Sequence, residues 1–206
     1  MNDECISDIK KDLHLFIDNI LSSQIIYTKP GSITYLLYGK KPSEQSINIK
    51  IGRLGELLAK ELIKASIEFE LLICGIQKIN NKNKDVDLLF INKKTKIIYY
   101  RELKGNVELD TEKMIATIDK CKEIEKSLKM DYIDYDINYG ILNWSVYNRQ
   151  NLINNRCLFN IKIFEKNGIK IEHIENFLQI INILWEEDDY YLFFKEIGNK
   201  ITQHNF

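Results

Sequence analysis

A strand-like run ending in Arg101-Glu102-Leu103-Lys104, one turn after a second such run, Asp85-Val86-Asp87-Leu88-Leu89-Phe90, constrains this chain more than any other feature. Ile97-Ile98-Tyr99-Tyr100 leads into the first run, and aliphatic and aromatic residues of this kind suit a pleated, half-buried surface. Side chains along a strand alternate faces, so Glu102 and Lys104 point one way while Leu103 points into the core. Asn92-Lys93-Lys94-Thr95 separates the two runs and reads as a hairpin turn. Closing that hairpin brings Asp87 roughly level with Glu102. Two carboxylates and a lysine then converge on one patch, an arrangement suited to holding a divalent cation and activating a water.

A competing acid and a second copy of the triplet test this reading. Asp85 shares a face with Asp87, because the two differ by one strand period. Asp87 is preferred because an apolar residue precedes it and an apolar run follows, whereas Asp85 stands beside Lys84 and nearer a loop. Asp8-Ile9-Lys10 repeats the acid-x-Lys spacing, but it lies in a helical pattern with no acidic strand before it. Chance therefore produces the triplet in a chain this rich in charge. The Glu102 copy differs in having an apolar strand, an upstream acidic strand, an earlier acidic helix and a following helix. A solvated Glu-Lys pair at a strand end is the plain alternative.

The pattern resembles the PD-(D/E)xK nuclease superfamily, and within it the type II restriction endonucleases. Those proteins carry an acid on one strand of a hairpin and an acid-x-Lys triplet on the next, often with a further Glu on a preceding helix. Asp87 in Val86-Asp87-Leu88-Leu89-Phe90 corresponds to the strand acid, and Glu102-Leu103-Lys104 to the triplet. Glu56, in Gly52-Arg53-Leu54-Gly55-Glu56-Leu57-Leu58, corresponds to the helix Glu. Val86 stands where the family pattern has its proline, a position that varies widely in the superfamily. The match covers about Gly52 to Ile124.

The resemblance implies an α/β (α+β) restriction-endonuclease-like fold, a mixed β-sheet flanked by helices. It implies one nuclease domain over 1–206, with a catalytic core at about 52–147 and a strand and helix region at 157–197 within the same domain. The implied activity is Mg²⁺-dependent, sequence-specific cleavage of double-stranded DNA, leaving 5′-phosphate and 3′-hydroxyl ends. Asp87, Glu102, Lys104 and Glu56 would be catalytic, with Asp87, Glu102 and the backbone carbonyl of Leu103 as metal ligands. A homodimer is expected, since two copies of one site cut the two strands of a palindrome. A cognate methyltransferase is the functional partner. Holliday-junction and repair nucleases share the fold, and a catalytically inactive DNA-binding module is a further reading, against which the intact Asp87, Glu102 and Lys104 argue.

DNA contacts are expected beside the active strand and in one polar loop. Asn106 and Lys113 follow the triplet closely and suit phosphate contacts. The loop containing Asn148, Arg149, Gln150 and Arg156 suits base contacts, because Asn and Gln pair with adenine and Arg with guanine in the major groove. An Asn-rich turn between strands explains the same loop without DNA. With 29 basic and 30 acidic residues the net charge is −1, so any nucleic-acid binding must come from a local basic cleft rather than bulk charge.

Other chemistries find little footing. Cys5, Cys74, Cys121 and Cys157 are far apart with no CxxC pair, so neither a zinc site nor a disulfide framework is expected. His14, His173 and His204 are isolated, which leaves a His-based metal nuclease without ligands. No signal peptide or long apolar span appears, and the expected setting is the cytoplasm of a bacterium or archaeon, with no membrane partner.

Periodicity supplies the remaining elements. Ile6, Ile9, Leu13, Phe16, Ile17, Ile20 and Leu21 predict a first helix, and Gly52 to about Ala65 a second. On the second, Glu56 shares a stripe with Gly52, Ala59 and Ile63 and is expected to face inward more than Glu61. Tyr35 to Tyr38 reads as a short extended piece. Strands are expected at Phe69–Ile79, Val86–Ile91 and Lys96–Lys104, with Asn80–Lys84 as a polar loop. A helix from about Asp110 carries Ile115, Ile118, Cys121 or Lys122, Ile124 or Glu125, and Leu128. Strands at Tyr139–Tyr147 and Cys157–Glu165, a helix at His173–Trp185 and an aromatic segment at Tyr190–Ile197 complete the expectation.

Overall fold

Ile6, Ile9, Leu13 and Ile17 recur at helical spacing, and all are buried along one face of α1 (Asn2–Ser22) in the computed structural model. The described residues are 2–22, 27–38, 44–105, 111–145 and 164–203. α1 packs on α3 (Glu44–Ala65), whose Leu54, Leu58 and Leu62 face the same core. Between them lies α2 (Ile33–Tyr38), where an extended piece was expected. Ser32 explains the difference: its Oγ accepts the Tyr35 N–H at 3.1 Å, an N-terminal cap that starts a helix.

The sheet is mixed and six-stranded. In chain order its strands are β1 (Glu70–Leu71), β4 (Leu88–Asn92), β5 (Ile97–Lys104), β6 (Asp136–Asn143), β7 (Glu165–Lys166) and β8 (Ile169–His173). In space they run β1-β4-β5-β6-β8-β7, with β5, β6 and β8 mutually parallel and the other neighbours antiparallel. α4 (Thr111–Asp131) makes the crossover from β5 to β6 and covers one face with Met114, Ile118, Cys121, Ile124 and Leu128. α1, α3, α5 (Ile174–Ile180) and α6 (Glu187–Gln203) build the core on the other face. β4 shows why its sequence reads as unbroken apolar. Leu88 and Phe90 enter one core and Leu89 and Ile91 the other, so both of its faces are buried. The fold is thus α+β, a mixed sheet flanked by helices, as expected. No helix among the described residues is long and apolar enough to cross a membrane.

Several boundaries differ from expectation for local reasons. The expected strand 69–79 divides into β1 and β2 (Gly75–Ile79), and the expected polar loop holds β3 (Lys82–Val86), which pairs with β2 as a separate ribbon. Asn80 and Asn81 both take positive φ, 50° and 63°, the two-residue turn that matches strand twist in a hairpin. The strand expected at 139–147 is β6, and that at 157–165 falls largely outside the described residues. The helix expected at 173–185 shortens to α5 at both ends: His173 closes β8, which the alternating Ile169-Lys170-Ile171-Glu172-His173 forms, and Asn182 takes a positive φ of 55° just past the last turn. Ile174, Phe177 and Leu178 of α5 and Ile181 and Trp185 beyond it are buried, while Leu184 is exposed. On α4, Met114 takes the buried position and Ile115 is half exposed.

Gly55 sets the approach of α3 to the end of β6. A Cβ there would lie 2.2 Å from Trp144 Nε1, so Gly55→Ala must displace the ring. Alanine favours helix by about 1 kcal/mol, but over-packing costs roughly 1–3 kcal/mol. Urea denaturation of Gly55→Ala should therefore show a net loss of stability.

Candidate functional site

The β4–β5 hairpin assembles the site. Asn92 Oδ1 accepts the N–H groups of Lys94 and Thr95, at 3.1 and 3.0 Å, and closes the turn. Leu88 then pairs with Arg101, a register that puts Asp87 at the level of Glu102. Asp87 lies just outside β4, half-buried, and its Oδ2 accepts the Leu103 N–H at 2.9 Å. This bond clamps the acid against the triplet. Asp85 is exposed on β3 opposite Ile76, so Asp87 is the acid beside Glu102.

Glu102 is buried, and both of its oxygens are engaged. Oε1 meets Lys104 Nζ at 2.7 Å, while Oε2 meets Lys120 Nζ at 2.5 Å and accepts the Tyr100 O–H at 2.9 Å. Lys120 also reaches Asp87 Oδ1 at 3.2 Å. Tyr100, Glu102 and Lys104 share one face of β5 by the period of two, the face that α4 covers.

Lys120 and Tyr100 were not anticipated. The strand period alone signals Tyr100, since it lies two residues before Glu102. Lys120 lies one residue before Cys121 on the buried stripe of α4, and only the crossover helix carries it to the two acids.

Charge and burial compete here. Burial raises the Asp87 carboxyl, Glu102's charge adds to that, and despite Lys120 its pKa is pushed up to about 6. Burial also works against ionised Glu102, but Lys104 and Lys120 together outweigh it and hold its carboxyl below the ordinary range. Burial opposes the Lys120 ammonium in turn, and Glu102 and Asp87 reverse that and raise its pKa. The Tyr100 hydroxyl is raised by burial and then by Glu102, so it stays a proton donor.

The Asp87 shift has a measurable sign. An unfolded Asp titrates near 3.9, so between about pH 4 and 6 the folded chain holds a proton that the unfolded chain has released. Its contribution favours folding below pH 4 and is lost as pH rises through about 6. Without divalent metal, Asp87→Asn should be more stable than the wild type at pH 7.5, by up to about 3 kcal/mol, with the gap closing towards pH 4. Urea titrations of both proteins at the two pH values measure the gap. Equal stability at pH 7.5 would mean that Lys120 fully offsets the buried charge.

The other expected site residues are less closely gathered. Glu56 pairs along α3 with Lys60 at 3.1 Å, and no hydrogen bond or ion pair joins it to Asp87, Glu102 or Lys104. Its side chain is 36% exposed against 18% for Glu61, the reverse of expectation. The stripe explains this, because Ala59 and Ile63 are buried while Gly52 is exposed, which leaves Glu56 at its edge. Its charge and that of Asp87 both act on the Cys74 thiol, so Glu56 flanks the site without entering it. Lys113 is exposed two helical turns before Lys120, on the same side of α4. Asn106, Asn148, Arg149, Gln150 and Arg156 lie outside the described residues.

The donor set fits a hard divalent cation. Asp87 and Glu102 offer carboxylate oxygens close enough that the Glu102 charge raises the Asp87 carboxyl, in largely desolvated surroundings. Among the described residues no three His, Cys, Asp or Glu side chains gather, so waters and backbone carbonyls would complete the shell. Mg²⁺ tolerates that readily. No protein-family model matches the chain, and no curated protein matches it.

Proposed function

We propose that the chain is a Mg²⁺-dependent, sequence-specific endonuclease of the type II restriction kind, acting on double-stranded DNA and leaving 5′-phosphate and 3′-hydroxyl ends. The observation that carries this reading is the clamp of Asp87 onto the Glu102-Leu103-Lys104 triplet through the Leu103 N–H at 2.9 Å. The mixed sheet with β5 and β6 parallel and a helix between them suits a restriction-endonuclease-like core. The reading carries with it a homodimer, a cytoplasmic setting and a cognate methyltransferase as functional partner.

Asp87 and Glu102 would hold the ion, with the Leu103 carbonyl as a further oxygen. When bound, Mg²⁺ supplies charge neutralisation at the phosphate and an acidified water. The chain's own groups do the rest. Lys104, anchored on Glu102 Oε1, is placed to orient the attacking water and stabilise negative charge growing on the phosphate. The Tyr100 hydroxyl fixes the Glu102 carboxylate from the core side. Glu56 flanks the site and suits a metal-bound water better than a direct ligand position. Lys113, near the start of α4, suits a phosphate contact on the approaching strand.

Digestion of a mapped plasmid with and without Mg²⁺ tests the proposal. Discrete fragments that require Mg²⁺ are expected. A smear would point to a nonspecific nuclease, cutting of four-way junctions alone to a resolvase, and binding without cutting to an inactive module.

A further inference from the structure

The oxygens of the site are not equally available. Asp87 Oδ2 is committed to the Leu103 N–H, which leaves Oδ1 facing Lys120 at 3.2 Å. Glu102 Oε1 is taken by Lys104, while Oε2, which also accepts the Tyr100 O–H, faces Lys120 at 2.5 Å. The two carboxylates therefore present their remaining oxygens to one point, and the Lys120 ammonium occupies it. We propose that Lys120 is the built-in counter-ion of the metal-free site, and that it competes with the divalent cation for Asp87 Oδ1 and Glu102 Oε2.

This inference rests on reading the site as a Mg²⁺ centre. Its physical basis is exclusion. Mg²⁺ sits about 2.0–2.1 Å from its oxygens, and an ammonium holding the same two oxygens leaves it neither the lone pairs nor the room. Two cations that close inside a poorly solvated pocket repel strongly. One of them must leave, and Lys120 can. Its side chain is 21% exposed, so a path to water exists, and a four-carbon stem on α4 lets the head group swing without moving the sheet.

Lys104 is the contrasting case. It touches a single oxygen, Glu102 Oε1, and makes no ion pair with Asp87, so it can stay in place while the metal binds. The two lysines then have separate duties. Lys120 holds the acid pair together before metal arrives, when two buried carboxylates without a cation would repel. Lys104 serves the loaded site. Lys120 is thus a positioning residue for the carboxylates and sets how much metal the site needs.

The test reads metal binding without DNA or turnover. Mg²⁺ is titrated by calorimetry into the full-length, metal-free wild type, Lys120→Met, Lys120→Arg, Lys104→Met and Asp87→Asn, and melting is followed with and without Mg²⁺. Lys120→Met should bind Mg²⁺ roughly tenfold or more tightly than the wild type, because one competing charge is gone. It should also melt lower without metal and gain more on adding it. Lys120→Arg should behave as the wild type, and Lys104→Met should gain less than Lys120→Met. Lys120→Gln keeps hydrogen bonds to both carboxylates without the charge and gives the same reading if the Met variant does not fold. A wild type that binds Mg²⁺, beside Lys120→Met and Lys120→Gln variants that bind it equally or more weakly, overturns the inference and leaves the metal centre standing. A wild type whose response to Mg²⁺ is absent, or is unchanged by Asp87→Asn, overturns the metal reading and the inference with it.

Discussion

Replacing Glu102 with Gln should lower the rate of DNA cleavage by about 10²–10³ or more, a loss of roughly 3–4 kcal/mol of transition-state stabilisation. The amide keeps the size of the side chain and can still accept the Tyr100 hydroxyl, so the variant should fold. What disappears is the charge that holds both Lys104 and Lys120, and with it half of the oxygen pair offered to a metal. Lys104→Ala should cost as much by removing the cation beside the attacking water. Asp87→Asn should match them, whereas Asp85→Asn should cost far less, since Asp85 is exposed on the β2–β3 ribbon. DNA affinity measured in Ca²⁺ should survive all four. Single-turnover rates on a plasmid decide the matter, and a Lys104→Ala protein that cuts at the wild-type rate would reduce the Glu102–Lys104 pair to ordinary surface.

The site was legible where its geometry is local. The hairpin rests on a turn that Asn92 closes and on a period of two, and both can be read from neighbouring residues. That is why Asp87, Glu102 and Lys104 fall together as expected. Lys120 depends instead on how a 21-residue helix rotates against the sheet. Periodicity left Cys121 and Lys122 open and never raised the residue before them. Glu56 shows the opposite failure, since its stripe is apolar in sequence yet leaves the core at its N-terminal end.

Secondary structure was lost where polar composition hides pairing. Lys82-Asn83-Lys84 reads as loop on composition, but the Asn80-Asn81 turn makes it the second strand of a ribbon. At β8 the alternating stretch 169–173 runs directly into the helical residues of α5, and one pattern masked the other. Short elements carry too few residues for a period to show, and α2 needed its Ser32 cap to be recognised.

Arg101 stands one residue from Glu102 in sequence but takes no part in the site. It points to the opposite face of β5, buried to 1% exposure, and its partner Glu172 on β8 is equally buried. Its Nε donates to Glu172 Oε2 at 2.9 Å and its Nη2 to Glu172 Oε1 at 3.3 Å and Asn138 Oδ1 at 2.9 Å. Its Nη1 donates to the backbone oxygens of Tyr100 at 3.0 Å and Asn138 at 2.8 Å. The guanidinium spends all its donors inside the sheet and has none for a phosphate. It ties β5, which carries the triplet, to β6 and β8. Arg101→Met leaves Glu172 with Lys170 at 3.6 Å as its remaining ion pair, and Glu172→Leu leaves a buried guanidinium without its counter-charge. Each should cost about 3–5 kcal/mol, a large share of the roughly 5–15 kcal/mol that holds a domain together. The double variant Arg101→Met with Glu172→Leu should recover much of that loss, because no charge is then stranded. Urea denaturation of the wild type and the three variants measures the coupling. Additive losses in the double variant would mean that the pair is not the unit holding these strands.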